Sequence, residues 1–461
     1  MQLRQWQSKC IKHALKLYTQ QNHFMCLATP GAGKTVMAAE LARHLLDAGK
    51  IDFVLCFSPS TEVNEGIRAT FSKRLNKRFD GLIGSVGNAY TYQSMSSLNS
   101  GFWQLLNTHR VMVIMDEVHH LKGHEYANAN AWGEEVLVNI QDKAAFTLAL
   151  SGTPWRSDKA PIVLSRFTEP DNTLHCDFIY GLEQAIADGV CRTPNIALID
   201  NDNIHLNEGD ERSVFNSFSS LLNGSSLSYS ALLHHPQVML YVLKLGVEKL
   251  SKIRELNQKA GGLIVASSIA HAKQLLSYLV DDLAQSACLV TSHMKKPSKT
   301  IEQFRHNNTQ WIVSVGMIAE GTDIPRLQVC CHLSRIKTEM HYRQVLGRIL
   351  RVDASPNQAA WLFTLAEPSL SDFAQRINVD LPETTVVLEH QNTETIDISL
   401  PANKYQIESS FNDNATNAVS LELSQSKMRE PVTKTRDMEE ENNYNLALLG
   451  GFKERIVQLF G

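Results

Sequence analysis

The sequence predicts an α/β protein whose parallel sheets are flanked by helices, and three observations carry that expectation. Continuous apolar runs such as IDFVLCF (51–57) and FTLALS (146–151) end in Ser, Pro or Gly instead of alternating with polar residues, the mark of strands buried on both faces. Another such run, FMCLA (24–28), passes through a glycine-rich turn directly into a helix. Finally, 461 residues exceed one ordinary core, so two or three domains are expected.

The turn is the most informative element. In FMCLATPGAGKT (24–35), Gly31 and Gly33 remove side chains that would hold backbone N–H groups away from a phosphate, with Thr29, Pro30 and Ala32 completing the loop. Lys34 supplies charge for the β and γ phosphates of ATP, and Thr35 offers a hydroxyl to Mg²⁺. The run VMAAELARHLLDA (36–48) then has helical periodicity and stops at Gly49.

Composition sets the frame. With 43% hydrophobic and 20% charged residues, no apolar run near the roughly 20 residues that span a bilayer, and no signal-peptide core at the start, a cytoplasmic protein without membrane contact is expected. The eight cysteines form no C-x-x-C pair, so they read as reduced core residues and not as zinc or iron–sulfur ligands. The net charge of −4 is uneven. Residues 367–461 hold 8 Lys plus Arg against 16 Asp plus Glu, which leaves +4 for residues 1–366. A nucleic-acid surface therefore belongs to the first part, and the tail suits a protein partner.

Further strands end in chemistry. HRVMVIMDEVHHL (109–121) delivers Asp116 and Glu117 to a strand's carboxyl end, where a carboxylate holds Mg²⁺ and its neighbour polarises the attacking water. FTLALSGTPWRSD (146–158) ends in Ser151, Gly152, Thr153 and Pro154. Ahead of both lies EGIRATFSKRLNKRF (65–79), where Arg68, Lys73, Arg74, Lys77 and Arg78 crowd into eleven residues, a density suited to a phosphate backbone or to a solvated helix face. In the second half, GGLIVASS (261–268), SACLVTSH (286–293) and the two ends of QWIVSVGMIAEGTDIPRLQVCCHLS (310–334) read as strands. HYRQVLGRILRVD (341–353) carries Gln344, Gly347, Arg348 and Arg351, the arginines lying three apart on one helical face.

Ala-x-x-Gly-x-Gly-Lys-Thr, DEVH, S-G-T-P, E-G-T-D and Q-x-x-G-R-x-x-R, in this order, resemble the motifs of superfamily 2 DExH-box helicases, nearest to the restriction-enzyme motor and DNA-repair translocase branch. The resemblance covers about residues 3–353 and implies two tandem RecA-like domains with ATP in their cleft. It also implies residue roles. Gln7 would read the adenine edge; His119, Ser151 and Thr153 would couple the ATP site to the nucleic-acid side; Gly321 and Asp323 would line the nucleotide. Gln344, Arg348 and Arg351 would act on the γ-phosphate as catalytic groups beside Lys34, Asp116 and Glu117. Thr91 and Gln93 (in YTYQSM, 90–95) and Thr322 would touch the nucleic-acid backbone with Arg68, Lys73 and Arg74.

The expected domains are residues 1–177 for ATP binding, 178–366 for the second RecA-like domain with a helical insertion at about 204–258, and 367–461 as an acidic accessory region ending in an amphipathic helix through Leu446, Leu449, Phe452, Ile456 and Leu459. The functional expectation is an ATP-dependent motor on DNA. An RNA helicase and an ATP-gated nucleic-acid clamp are the alternatives the residues leave open.

Overall fold

The computed structural model describes residues 2–122, 130–153, 162–167, 174–209, 211–316, 318, 322–353, 359–377, 379 and 444–458. Within residues 1–387 and 445–461, which form one compact unit, the described residues make two lobes. In the first, α1 (Gln5–Leu17) precedes β1 (His23–Ala28), and the glycine loop leads into α2 (Lys34–Asp47). Next come β2 (Phe53–Ser58), α3 (Thr61–Leu75), β3 (Gly87–Thr91), the single turns α4 (Ser100–Trp103) and α5 (Leu105–Thr108), β4 (Val111–Asp116), α6 (Ala131–Asn139) and β5 (Phe146–Ser151). The pair β6 (Arg166–Phe167) and β7 (Leu174–His175) is followed by β8 (Phe178–Tyr180). The main sheet runs β3-β2-β4-β5-β1-β8 with every pair parallel. That topology places the carboxyl ends of β4, β5 and β1 side by side, so Asp116, Ser151 and the glycine loop share one edge.

A crossover containing α7 (Leu182–Ala187) enters the second lobe. There β9 (Thr193–Asn201), β10 (Ile204–Glu208) and β11 (Glu211–Phe215) precede α8 (Phe218–Gly224), α9 (Tyr229–Leu233) and α10 (Pro236–Leu256). The chain continues with β12 (Gly261–Ala266), α11 (Ile269–Ser277), β13 (Ala287–Val290), α12 (Pro297–His306), β14 (Trp311–Ser314), β15 (Leu327–Leu333), α13 (Glu339–Ile349), β16 (Ala359–Leu365) and α14 (Pro368–Gln375). Two strands, β17 (Tyr444–Leu448) and β18 (Phe452–Gln458), complete it. The sheet order is β13-β14-β12-β15-β16-β9-β18, parallel except for the antiparallel β18. Both lobes therefore have the RecA-like form expected. Apolar packing continues from lobe 1 through Tyr180, Leu182, Ala185, Val190 and Cys191 into lobe 2.

Three expectations are corrected. The terminal segment is not a helix: Phe452–Gln458 pairs with β9 along its open edge, and the ring of Phe452 stacks on Tyr241 at 4.2 Å. Gly450 and Gly451 interrupt the apparent helical pattern, and glycine is unfavourable inside a helix. A side chain at Gly450 would also stand 2.2 Å from Asp202 Oδ1. The stretch expected as a helical insertion opens with the antiparallel hairpin β10–β11, turned at Gly209 with φ +62°. Leu459 lies outside the described residues. Finally, β8 pairs with β1, so the first sheet extends past residue 177, and α14 packs with lobe 2, where Arg343 donates to the carbonyls of Arg376 and Ile377. Among the described residues no helix is long and apolar enough to cross a membrane.

Candidate nucleotide site between the lobes

The glycine loop is held from several sides. Gly31 and Gly33 have φ of +83° and +92°, which glycine adopts without the steric cost other residues meet. Thr29 N–H donates to Tyr180 O at 3.1 Å, and Arg4 donates to the carbonyls of Gly31 and Ala32 at 3.3 and 2.7 Å. Gln7 is buried, its Nε2 donating to Gly33 O at 2.9 Å while its Oε1 accepts from Arg4 N–H. This amide braces the loop. A helix N-terminus carrying two such glycines and an ammonium fits a polyphosphate, and the hydroxyl of Thr35 with the carboxylate of Asp116 is a hard oxygen donor set that fits Mg²⁺.

Lys34 and Glu117 occupy the centre. Lys34 Nζ lies 3.2 Å from Glu117 Oε1 and donates to Ala28 O at 3.3 Å. Glu117 has a φ of +52° and follows β4 at the sheet edge; its Oε2 accepts from Gly152 N–H at 3.2 Å and lies 3.5 Å from His119 Nδ1. Burial disfavours its charge, but Lys34, His119 and the Gly152 amide overcome that and bring its pKa down to about 2. His119 Nδ1 is 3.1 Å from Ser151 Oγ, which accepts from Thr153 N–H at 3.1 Å. The three expected coupling residues thus form one chain starting at Glu117. Gly152 has its own constraint: a Cβ there would stand 2.8 Å from Lys34 Nζ.

The opposite wall is α13 and the segment just after it: the helix ends at Ile349, so Arg351 does not share a helical face with Arg348 as expected but forms an isolated antiparallel bridge with Cys191. A Cβ on Gly347 would lie 2.9 Å from Pro30 Cβ, and one on Gly31 would lie 3.2 Å from Arg351 Cγ, so motif and loop are in contact range. Between them Cys191 Sγ sits 3.6 Å from Pro30 O. A crevice beside this contact is lined by Thr29, Pro30, Gly152, Thr153, Tyr180 and Arg343, among others. Gln344 and Arg348 are buried in α13, Arg348 donating to Thr322 O at 2.6 Å. Arg351 pairs with the exposed Asp323. Glu320, Gly321 and Pro154 lie outside the described residues.

Of the residues expected to meet nucleic acid, three have partners within the chain. Arg68 donates to Asn88 Oδ1 at 2.8 Å and Ala89 O at 2.6 Å, fastening α3 to β3. Arg74 leans on Glu40 at 3.8 Å with its side chain only 17% exposed. Thr322 is buried, its hydroxyl donating to Ile318 O at 3.4 Å. The first two flank the buried face of α3 formed by Asn64, Ile67, Phe71 and Leu75, which local charge density does not reveal. Lys73 and Gln93 are exposed and Thr91 is half-buried. Arg4, Cys191 and Arg192 were not singled out by the sequence, since no motif marks them.

Fold and site define a two-lobed P-loop protein whose nucleotide crevice is closed by an arginine-bearing helix. Residues 1–156 match the family model for the res subunit of type III restriction enzymes, and residues 246–353 match that for the helicase conserved C-terminal domain. The chain belongs to the superfamily 2 helicases of restriction-enzyme motor type. An uncharacterized protein of Mycobacterium leprae (strain TN) is 28% identical over 389 residues, 81% of this chain and 64% of its own length. One from Mycobacterium tuberculosis (strain ATCC 25618 / H37Rv) is 27% identical over 391 residues, 82% and 63% respectively. The chain thus spans less than two thirds of these relatives. Among solved structures, the fragment of a putative HsdR subunit of a type I restriction enzyme from Vibrio vulnificus YJ016 has a TM-score of 0.57 at 16% identity, covering 82% of this chain and 67% of that one. The ATP-dependent type ISP restriction-modification enzyme LlaBIII bound to DNA has a TM-score of 0.52 at 15% identity, covering 79% and 28%. These two likenesses are of fold.

Proposed function

We propose that this chain is a nucleic-acid-dependent ATPase that moves on DNA, its two lobes closing and opening around the nucleotide. The observation that supports this most is the meeting of loop and helix: Gly347 and Arg351 of the second lobe lie against Pro30 and Gly31, in the loop that ends at Lys34. When bound, ATP with Mg²⁺ would supply the bond to be cleaved and the cation that offsets its charge. Lys34 would then exchange Glu117 for phosphate oxygens, and Thr35 and Asp116 would hold the cation. Glu117, with its ammonium neighbour turned to phosphate, would be left to orient the attacking water and accept its proton. Arg351 gives up Asp323, and together with Arg348 and Gln344 it faces the charge that develops in transfer. His119, Ser151 and Thr153 relay the change at Glu117 along the sheet edge.

DNA is preferred to RNA because the first matched family is that of a restriction enzyme, and one structural neighbour was solved on DNA. Lys73, Thr91 and Gln93 are the described groups best placed to meet its backbone. The test is ATP turnover with single-stranded DNA, duplex DNA and RNA of matched length at one stated salt concentration. DNA should raise turnover by about tenfold or more and RNA should not. Stimulation by RNA alone overturns the DNA assignment, and absence of hydrolysis with every polymer overturns the motor.

A further inference from the structure

Arg192 is the first residue beyond the crossover, and none of its surface is exposed. A buried guanidinium is costly unless its donors are satisfied. Here the two hydrogens of Nη1 are shared among four carbonyl oxygens within range, those of Pro325 at 3.0 Å, Leu327 at 2.9 Å, Ile349 at 3.4 Å and Arg351, while Nε finds no hydrogen-bond partner among the described residues. Its Nη2 lies 3.1 Å from Asp353 Oδ1, and its backbone N–H donates to Leu350 O at 2.7 Å. The neighbouring Cys191 forms an isolated antiparallel bridge with Arg351 and reaches Pro30 O.

We propose that Arg192 is a positioning residue for Arg351: by gripping the carbonyls that end α13, it fixes where the Arg351 side chain leaves the backbone relative to the glycine loop. The proposal rests on the motor reading, in which Arg351 acts on the nucleotide. Burial of an arginine is not by itself the argument. Arg326 is similarly buried and donates to the carbonyls of Lys259, Phe304 and Thr309, yet it touches nothing at the crevice. What distinguishes Arg192 is that its carbonyl partners run through the arginine-bearing segment itself, residues 349–351. Burial lowers its pKa, and Asp353 beside it opposes that shift. A lysine keeps the charge but has one nitrogen where the guanidinium sets two, so it cannot hold Asp353 and the carbonyl cluster at the separate places that Nη2 and Nη1 occupy.

The test is a double-mutant cycle on the full chain, reading nucleic-acid-stimulated turnover of ATP and, separately, the equilibrium dissociation constant for ATP. Arg192→Lys should lower kcat by about tenfold or more with ATP affinity held within about threefold, as expected when transition-state contacts are lost. Combined with Arg351→Ala it should cost no more than Arg351→Ala alone, because the positioned group is already gone. If the two losses multiply, or if Arg192→Lys turns over normally, Arg192 does not position Arg351. Should Arg192→Lys fail to fold, Asp353→Asn takes its place in the cycle, with the same non-additivity expected and independent losses overturning the proposal. Normal turnover by Arg351→Ala overturns the proposal and leaves the motor reading standing, whereas absence of hydrolysis by the unaltered chain with every polymer overturns the motor reading beneath it.

Discussion

Gly152 shows how one missing side chain sets the chemistry of another. With φ outside the left-handed region it needs no glycine for its backbone; the need is spatial, since a Cβ would stand 2.8 Å from Lys34 Nζ and 3.2 Å from the Pro30 ring. The end of a lysine is flexible, so the fold tolerates the intruder and the ammonium moves. Gly152→Ala should therefore weaken ATP binding by about tenfold while the melting temperature stays within about 2 °C. A titration and a melt on the same preparation check this; unchanged affinity would show that Lys34 is not held where Gly152 leaves room. The loop, DEVH and the arginine helix were legible because their spacing alone makes the site. Arg192 was not, since its partners at 325, 327, 349 and 351 are more than 130 positions away and are carbonyls, which every residue has. The partners of Arg68 and Arg74 were hidden for a related reason: their density reads as a basic surface, and only the placement of α3 turns them toward Asn88 and Glu40.

Among elements, β18 carries the most unexpected role. It covers β9, a strand whose other side is taken by β16, and without it an apolar row (Ile196, Ala197, Leu198, Ile199) would end in unpaired backbone groups. Removing residues 452–461 loses the Phe452–Tyr241 stack and the whole ladder. We expect a stability loss on the order of 3 kcal/mol, with self-association through the bared edge. Chemical denaturation and light scattering read the two effects, and a monomeric truncation with unchanged stability would show that β18 is dispensable. Most strands of both sheets were legible as continuous apolar runs because each is sealed on both faces. β18 was not, because it is an edge strand with Lys453, Glu454 and Arg455 exposed, and only the glycine pair before it hinted that the helical period was accidental.

Across the molecule, the crevice exists only while both lobes hold their shape, and acid acts on them through buried imidazoles. His332 is fully buried and His271 is 1% exposed; burial, followed by the neighbouring His341 and His234 respectively, lowers their pKa values to about 3 and about 4. In lobe 1, His23 falls to about 4 for the same first reason. The unfolded chain regains ordinary imidazoles near 6.5, so between that value and the folded ones it binds more protons than the native state does. Their contribution is complete above about pH 6.5 and is lost as pH falls, at up to about 1.4 kcal/mol per unit for each fully buried histidine. Glu117 follows the same sign in a lower window, from its ordinary range down to about 2. Stability should therefore be nearly flat above pH 7 and fall by roughly 2 to 3 kcal/mol per unit between pH 6 and 5, and His332→Gln should remove about one proton from that slope. Denaturant titrations at stepped pH measure it directly. A flat or rising profile from pH 7 to 5 would mean that these imidazoles open to water before the lobes unfold, and then ATP binding, which needs the crevice, should fade in the same range ahead of global unfolding.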